Sequence, residues 1–161
     1  MSEVKRTKIF MGADHGGYEL KNQLKAHLIS QGHDVSDFGT HSREPVDFPD
    51  VAFLVTRAVT GNHQAGGHAV GILVDSIGQG SAVVANKVMG IRAVVAMDAF
   101  SVKSSREHTD SNVLCLGGAW LGAGVARDLV DLWLETPYAG GRHQRRLDKI
   151  TQIEKQTMRE V

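Results

Sequence analysis

The segment that most restricts the possible fold spans residues 71–87 and reads GILVDSIGQGSAVVANK. Its first four residues form an apolar run, which is typical of a strand buried on both faces of a parallel sheet. The run ends at one carboxylate, Asp75, and the turn that follows contains Gly78 and Gly80, which allow close backbone approach to a ligand. A helix beginning near Ser81 would direct its positive end towards the same place. The segment therefore predicts a strand, a loop and a helix that together present a carboxylate beside an anion-binding loop.

Two interpretations of Asp75 follow from this segment alone. A carboxylate beside hydrogen-bond donors for an oxyanion is what proton abstraction next to a carbonyl group requires. The alternative is an ordinary connection in which the aspartate only shapes the turn. The residues of the segment leave both interpretations open.

Short apolar runs alternate with helical patterns along the rest of the chain, which favours a doubly wound parallel α/β sheet. We expect one domain over 1–161, with a core over 8–136 and a C-terminal arm and helix over 137–161. The five predicted strands are Lys8–Ala13, Asp34–Phe38, Ala69–Val74, Ile91–Met97 and Val113–Leu116. Predicted helices, besides the one near Ser81, are Tyr18–Gln31, Val51–Thr60 with Asp50 as N-cap, Phe100–Glu107, Gly122–Leu134 with Val125, Leu129, Leu132 and Trp133 inward, and Arg142–Val161.

Composition excludes several classes of protein. The 18 basic residues equal the 18 acidic residues, so no overall charge favours nucleic acid or an anionic membrane. The single cysteine, Cys115, excludes an internal disulfide and lies in an apolar run, where we expect it to be buried and inert. Apolar runs are too short to cross a bilayer, and the polar start does not resemble a signal peptide. We therefore expect a cytoplasmic protein.

Carboxylates follow three of the predicted strands. Asp14, Asp75 and Asp98 come at strand ends, and ligands of such sheets bind outside the carboxyl ends of the strands. Together these residues allow proton abstraction, or a divalent-metal site for phosphoryl transfer as in a phosphatase or phosphoacceptor module. Each aspartate alone is also a common turn residue.

The histidines divide into two groups. His15 follows Asp14 directly, and His108 precedes the fifth strand, so both are placed for acid–base chemistry. His41 stays undecided. The histidines expected to be solvated are His27, His33, His63 and His68.

Two arginines near the C-terminus are four residues apart. A helix would place Arg142 and Arg146 on one face, where paired guanidinium groups suit a phosphate or carboxylate. Spacing alone favours a solvated basic face instead. The polar segment could also lie across a partner subunit.

At this point the sequence resembles the ribose-5-phosphate isomerase B and galactose-6-phosphate isomerase family. The resemblance covers about Lys8 to Ile150. It rests on several blocks in the same order: GADHGGYELK (12–21), VDFPD (46–50), ANK (85–87), GIRA (90–93), SREH (105–108), NVL (112–114) and GGRHQRR (140–146).

The resemblance implies a Rossmann-like sheet, a homodimer or dimer of dimers, and cofactor-free, metal-free interconversion of an aldose phosphate and a ketose phosphate through an enediol. It implies that Asp14 and His15 line the sugar site and that His108 assists ring opening. It implies that Arg142 and Arg146 hold the phosphate, from a neighbouring subunit. The remaining residues that it places against substrate are Ser76, Gly78, Gln79, Gly80 and Ser81.

The loop departs from the usual pattern of the family. Many members carry a Cys-Gly-Thr-Gly type loop in which the cysteine transfers the proton, and here Asp75 and Ile77 replace the thiol and the threonine. The loop looks more like that of the A subunit of galactose-6-phosphate isomerase, which works beside a second, different subunit. Phe48 stands where a tyrosine is expected, and Ala119 where an arginine is often found.

Two interpretations of these departures remain. In the first, Asp75 is the base, and the substrate is ribose 5-phosphate or a shifted tetrose, pentose or hexose phosphate. In the second, the chain is a non-catalytic or half-site subunit that completes a partner's site. The presence of Asp14, His15 and His108 favours the first. A non-catalytic sugar-phosphate sensor is a weaker alternative.

Overall fold

The computed structural model describes residues 5–159, and within them the chain forms a five-stranded parallel sheet covered by helices on both faces. The sheet order is β2-β1-β3-β5-β4, and every pairing is parallel. The predicted doubly wound α/β architecture is therefore confirmed. The strands are β1 (Lys8–Ala13), β2 (Asp34–Asp37), β3 (Val70–Asp75), β4 (Ala93–Val95) and β5 (Val113–Gly117).

The helices divide between the two faces of the sheet because side chains of successive strand residues point to opposite sides. On one face, Met11, Ile72 and Leu114 pack against the first, fourth and fifth helices. On the other face, Leu73 and Cys115 pack against the second and third helices. The helices are α1 (Tyr18–Ser30), α2 (Phe48–Gln64), α3 (Gln79–Ala85), α4 (Ala99–Thr109), α5 (Ala123–Glu135) and α6 (Gln144–Thr157), with a 3-10 turn at Gly141–His143 before α6.

Helix α2 begins three residues earlier than predicted. Asp47 occupies the N-cap position and Pro49 lies in the first turn, where its missing N–H costs nothing. Asp50 is therefore a first-turn residue and not the cap. The prediction failed because the proline marked a helix start and not a loop.

Three other predictions need correction. Strand β4 is shorter than predicted because it is an edge strand that pairs only with β5, over three residues. Val125 was expected to face inward, but it is 55% exposed and α5 buries Leu129, Val130 and Trp133 instead. The last helix is α6 after a 3-10 turn, and the predicted end at 160–161 lies outside the described residues.

The histidines expected to be solvated mostly have structural contacts. His33 is buried, and its Nδ1 accepts a hydrogen bond from the Thr7 N–H at 3.2 Å. The Nε2 atom of His27 lies 2.9 Å from the Asp131 carboxylate. His68 is exposed, as predicted, and Cys115 is buried. Between residues 5 and 159, no helix combines the length and apolar character needed to cross a membrane.

Candidate functional site

The loops that follow β1, β3 and β5 meet at the carboxyl edge of the sheet. Strand register pairs Ala13 with Val74 and Asp75 with Gly117, so these strands end side by side. The Gly118 N–H donates to the Asp75 carbonyl oxygen at 2.7 Å. This edge is where a doubly wound sheet binds its ligands.

Asp14 and Ser76 are neighbours at this edge. A Cβ on Gly16 would lie 2.5 Å from Ser76 Oγ and 3.3 Å from Asp14 Oδ1, so only glycine fits between them. Burial raises the pKa of Asp14, and the negative charge of Asp75 raises it further, although the Gly17 N–H at 3.1 Å opposes both. We call Asp14, Asp75 and Ser76 the carboxylate cluster.

The Asp75 side chain is enclosed by its own loop and is 4% exposed. Its Oδ1 accepts hydrogen bonds from the N–H of Ile77 at 3.0 Å and from the N–H of Gly78, and its Oδ2 accepts one from Ser81 at 2.8 Å. A carboxylate has about four lone-pair positions, so three are occupied by the loop. Asp75 thus shapes the turn, as one interpretation expected, and retains a position that could accept a proton.

The loop retains donors of its own. Gly78 has a φ of +84°, in the left-handed region that favours glycine, and it turns the chain into α3. Among the residues that the structure describes, the backbone N–H groups of Gln79 and Gly80 donate to no protein group. These two N–H groups are therefore available for oxygen atoms of a ligand.

The positions that depart from the family's pattern surround this loop. A Cβ on Gly80 would lie 2.9 Å from the ring of Phe48, so that ring lies directly over the loop. The Ala119 N–H donates to the Ser76 carbonyl oxygen at 2.9 Å, and the exposed Ile77 lies beside Trp120, whose indole donates to its carbonyl oxygen. The departures therefore change the walls of the candidate site and leave the fold unchanged.

His15 lies on the exposed side of the same edge. Its Nδ1 accepts a hydrogen bond from the Val46 N–H at 3.2 Å, which joins the first loop to the segment before α2. Asp98, by contrast, is not part of the carboxylate cluster. It caps α4 by accepting from the Ser101 N–H at 2.7 Å. Asp98 therefore serves as a helix cap, and within residues 5–159 no three His, Cys, Asp or Glu side chains converge to hold a metal ion.

His108 lies at the opposite edge of the sheet from Asp75. Helix α4 runs back from the end of β4 to the start of β5, and His108 is in its last turn. Strand β5 has five residues, which at about 3.3 Å per residue separates its two ends by roughly 15 Å. One copy of the chain therefore does not bring His108 to Asp75.

His108 instead belongs to a group of basic side chains, which we call the cationic cluster: His108, Arg142, His143 and Arg146. The rings of His108 and His143 are stacked, with centroids 4.5 Å apart and planes 18° apart. Burial lowers the pKa of His143, and the charges of His108, Arg142 and Arg146 lower it further. Both arginines are exposed. Sequence reasoning missed His143, although its position between two candidate phosphate ligands was a signal.

Comparison with known proteins gives concordant results. The family model described as Ribose/Galactose Isomerase matches residues 9–150. Ribose-5-phosphate isomerase B of Escherichia coli K12 is 45% identical over 147 residues, covering 91% of this chain and 96% of that protein. Ribose-5-P isomerase B of Listeria innocua is 35% identical, covering 91% of this chain and 97% of that protein.

Solved structures agree with these relatives. Ribose-5-phosphate isomerase B of Clostridium thermocellum has a TM-score of 0.88 and 43% identity, covering 93% of this chain and 99% of that one. The enzyme of Mycoplasma genitalium with bound ribulose-5-phosphate has a TM-score of 0.87 and 36% identity, covering 94% and 98%.

These likenesses confirm the expected isomerase class and do not favour the half-site alternative, since the relatives are named as isomerases. They give no support to the phosphatase or phosphoacceptor alternative. A family model that spans most of the chain, together with whole-length relatives and superimposable structures, identifies the chain as a member of the Ribose/Galactose Isomerase family.

Proposed function

We propose that this chain interconverts ribose 5-phosphate, or a closely similar aldose phosphate, and its ketose phosphate, with Asp75 as the proton-transferring base. The observation that carries the proposal is a buried carboxylate inside a glycine loop that still has N–H groups to offer. Ribulose-5-phosphate, which the Mycoplasma genitalium relative holds, supports a five-carbon substrate. A cytoplasmic location stays a prediction from the sequence.

The chemistry needs one proton to move between two carbon atoms. Asp75 takes the proton from C2 of the open aldose, the C2–H electrons form the C1=C2 bond, and O1 becomes negative. The hydroxyl proton of O2 then passes to O1, and Asp75 returns its proton to C1 to give the ketose. In this proposal the N–H groups of Gln79 and Gly80 donate to the enediolate oxygens, because no protein group in the described part of the chain accepts from them.

The hydrogen bonds of Asp75 support a proposal for which of its two oxygens takes the proton. Oδ1 accepts two N–H groups and Oδ2 accepts one, so the remaining lone-pair position is on Oδ2. Asp14 and His15, on the same edge, are suited to hold sugar hydroxyls.

We further propose that a complete site contains two copies of the chain. His108, Arg142 and Arg146 lie at the amino edge, far from the carboxylate cluster of their own copy, and the arginines are exposed. A two-fold dimer would place the cationic cluster of one copy over the carboxylate cluster of the other and would form two identical sites. In that arrangement the two arginines bind the phosphate and His108 opens the sugar ring.

A subunit-mixing experiment tests the shared site. The variant D75N is expected to be nearly inactive, and R146A is expected to keep at most about a tenth of wild-type activity when the substrate concentration is well below KM, which is the condition of this assay. Mixing them, with exchange of subunits, would form dimers in which one site keeps both residues, and about a quarter of wild-type activity should return. The matched control R145A, at the neighbouring exposed arginine, should be active alone. A mixture that stays inactive, with exchange verified by mass spectrometry, would contradict the shared site.

A substrate screen tests the sugar. Purified protein is assayed with four-, five- and six-carbon aldose and ketose phosphates, with and without EDTA. We expect the highest kcat/KM for ribose 5-phosphate and no effect of EDTA. Faster turnover of a tetrose or hexose phosphate would reassign the substrate and leave the isomerase chemistry standing. Loss of activity in EDTA would contradict the metal-free mechanism.

A further inference from the structure

The buried ring of His143 covers one face of the exposed His108 ring. The centroids are 4.5 Å apart and the planes are 18° from parallel, so the two imidazoles are stacked. His143 is 8% exposed, whereas His108 is exposed at the end of α4. The fixed ring of the pair is therefore His143, and the ring that can reach a ligand is His108.

The backbone that carries His143 is fixed next to His108. The Ala139 N–H donates to the Glu107 carbonyl oxygen at 3.1 Å, which joins the arm to the last turn of α4. Gly140 and Gly141 have φ values of +63° and +57°, so the chain turns sharply directly after that contact. The 3-10 turn then ends at His143, under the His108 ring.

The surroundings keep the stack from carrying two positive charges. Burial lowers the pKa of His143, and the nearby positive charges lower it further. The charged or titratable groups around it are His108, Arg142, Arg146 and, with the opposite effect, Glu107. A neutral His143 ring can thus stack on His108 whether His108 is neutral or protonated.

We propose that His143 is a positioning residue for ring opening, because its ring holds the His108 imidazole in the orientation that delivers a proton to the cyclic sugar phosphate. The inference rests on the ring-opening role of His108 in the proposed function. In that step protonated His108 donates to the ring oxygen while the C1–O bond breaks and the C1 hydroxyl loses its proton to water. The products are the open aldehyde and a free hydroxyl. A side chain that is free to rotate performs such a transfer less often than one already held in place.

Two reactions separate ring opening from enediol chemistry. Ribose 5-phosphate is mostly cyclic and must be opened, whereas ribulose 5-phosphate stays open because its C5 hydroxyl is esterified. In D2O, exchange of one C1 proton of ribulose 5-phosphate needs Asp75, whose own proton exchanges with solvent, but no ring opening. H143A should lower kcat for ribose 5-phosphate by about tenfold, leave its KM unchanged, and change the exchange rate by no more than about twofold.

A conservative variant distinguishes stacking from direct contact with substrate. H143F keeps a flat ring without a hydrogen-bonding group, so it should restore kcat to within about threefold of wild type. H68A, at an exposed histidine that belongs to neither cluster, is the control for histidine loss. Circular dichroism and thermal unfolding are measured on each variant, since lost folding would lower both reactions equally.

Three results would overturn the inference. If H143A and H143F both raise KM and slow the exchange, His143 binds the phosphate directly. If both variants match wild type, the stack has no part in the reaction. If H143A lowers only the Tm, the role is structural. The variant H108A separates this inference from the proposed function, because unchanged ring opening in H108A would remove the role of His108 itself.

Discussion

Replacing Asp75 by asparagine tests the base and the loop together, and the geometry shows that the two effects must be separated. Asparagine has one carbonyl oxygen, which can keep the two hydrogen bonds from Ile77 and Gly78. Its NH2 group then faces the Ser81 N–H, which now donates to Oδ2 at 2.8 Å. In D75N, two hydrogen-bond donors, the NH2 group and the Ser81 N–H, would face each other where a charge-assisted hydrogen bond now forms.

The loss of that bond should lower the free energy of unfolding by about 1.5–3 kcal/mol. For a chain of this size that corresponds to a Tm lower by about 3–12 °C. Loss of the base should lower kcat by about 100- to 10,000-fold, with little change in KM. The catalytic effect is much larger than the loss of stability, so an assay well below the Tm still resolves it.

The variant D75C provides the matched comparison. A cysteine thiolate can transfer a proton, as the resemblance implies for many family members, but it does not replace two carboxylate oxygens for three N–H groups. If Asp75 is the base, D75C should be more active than D75N although it is no more stable. Isomerisation of ribose 5-phosphate and C1-proton exchange in D2O, both at 20 °C, measure this. Equal inactivity of the two variants, or near-normal turnover by D75N, would show that Asp75 only shapes the loop.

Three further predictions concern binding and stability. R142A and R146A should each raise KM for the sugar phosphate at least tenfold, because a bidentate phosphate contact is lost, while the Tm stays unchanged in a thermal shift assay. Lys21 is buried and its Nζ bonds both oxygens of Asp37 at 2.8 Å, while Lys25 also reaches Asp37 at 3.1 Å. K21M should therefore lower the free energy of unfolding in urea by about 1–3 kcal/mol, less than for a buried carboxylate left without any cation. Burial raises the pKa of Asp14 above its unfolded value of 3.8, so the contribution of this carboxyl group to stability is present below pH 3.8 and is lost as the pH rises through the folded pKa. D14N should therefore be more stable than wild type at about pH 7 and should lose this advantage towards about pH 4. Chemical denaturation at the two pH values measures the difference.

The sequence was sufficient to predict the layers of the fold and the identity of the loop. Apolar runs of strand length that alternate with helical periods leave few arrangements besides a doubly wound sheet, and β1 was predicted at its exact bounds. The predicted boundaries of elements were wrong where one sequence signal is compatible with two local structures. Pro49 can end a loop or begin a helix, and the start of α2 depended on that choice. The prediction that Val125 faces inward was wrong because the helical period determines which residues share a face but not which face packs on the sheet.

The sequence alone did not predict the contacts between residues within the site. An aspartate that only shapes a turn and a catalytic aspartate can occur in the same sequence pattern. Only the structure shows that Asp75 accepts three hydrogen bonds from the same loop that we propose binds the substrate. The stack of His143 on His108 joins residues 35 positions apart through a turn of two glycines, and no periodicity connects them. Such contacts depend on the path of the arm across α4.

The topology of the sheet determines how far Asp75 and His108 of one chain lie from each other. In a parallel sheet every strand ends at one edge, and each crossover helix returns the chain to the other, so a residue at the end of a strand and a residue at the end of the following helix lie on opposite edges. Asp75 ends β3 and His108 ends α4, hence one copy cannot join them however its side chains rotate. A chemistry that needs both must use a second copy or dispense with one of them. The mixing of D75N and R146A distinguishes these cases, because activity returns only if the two edges belong to different chains.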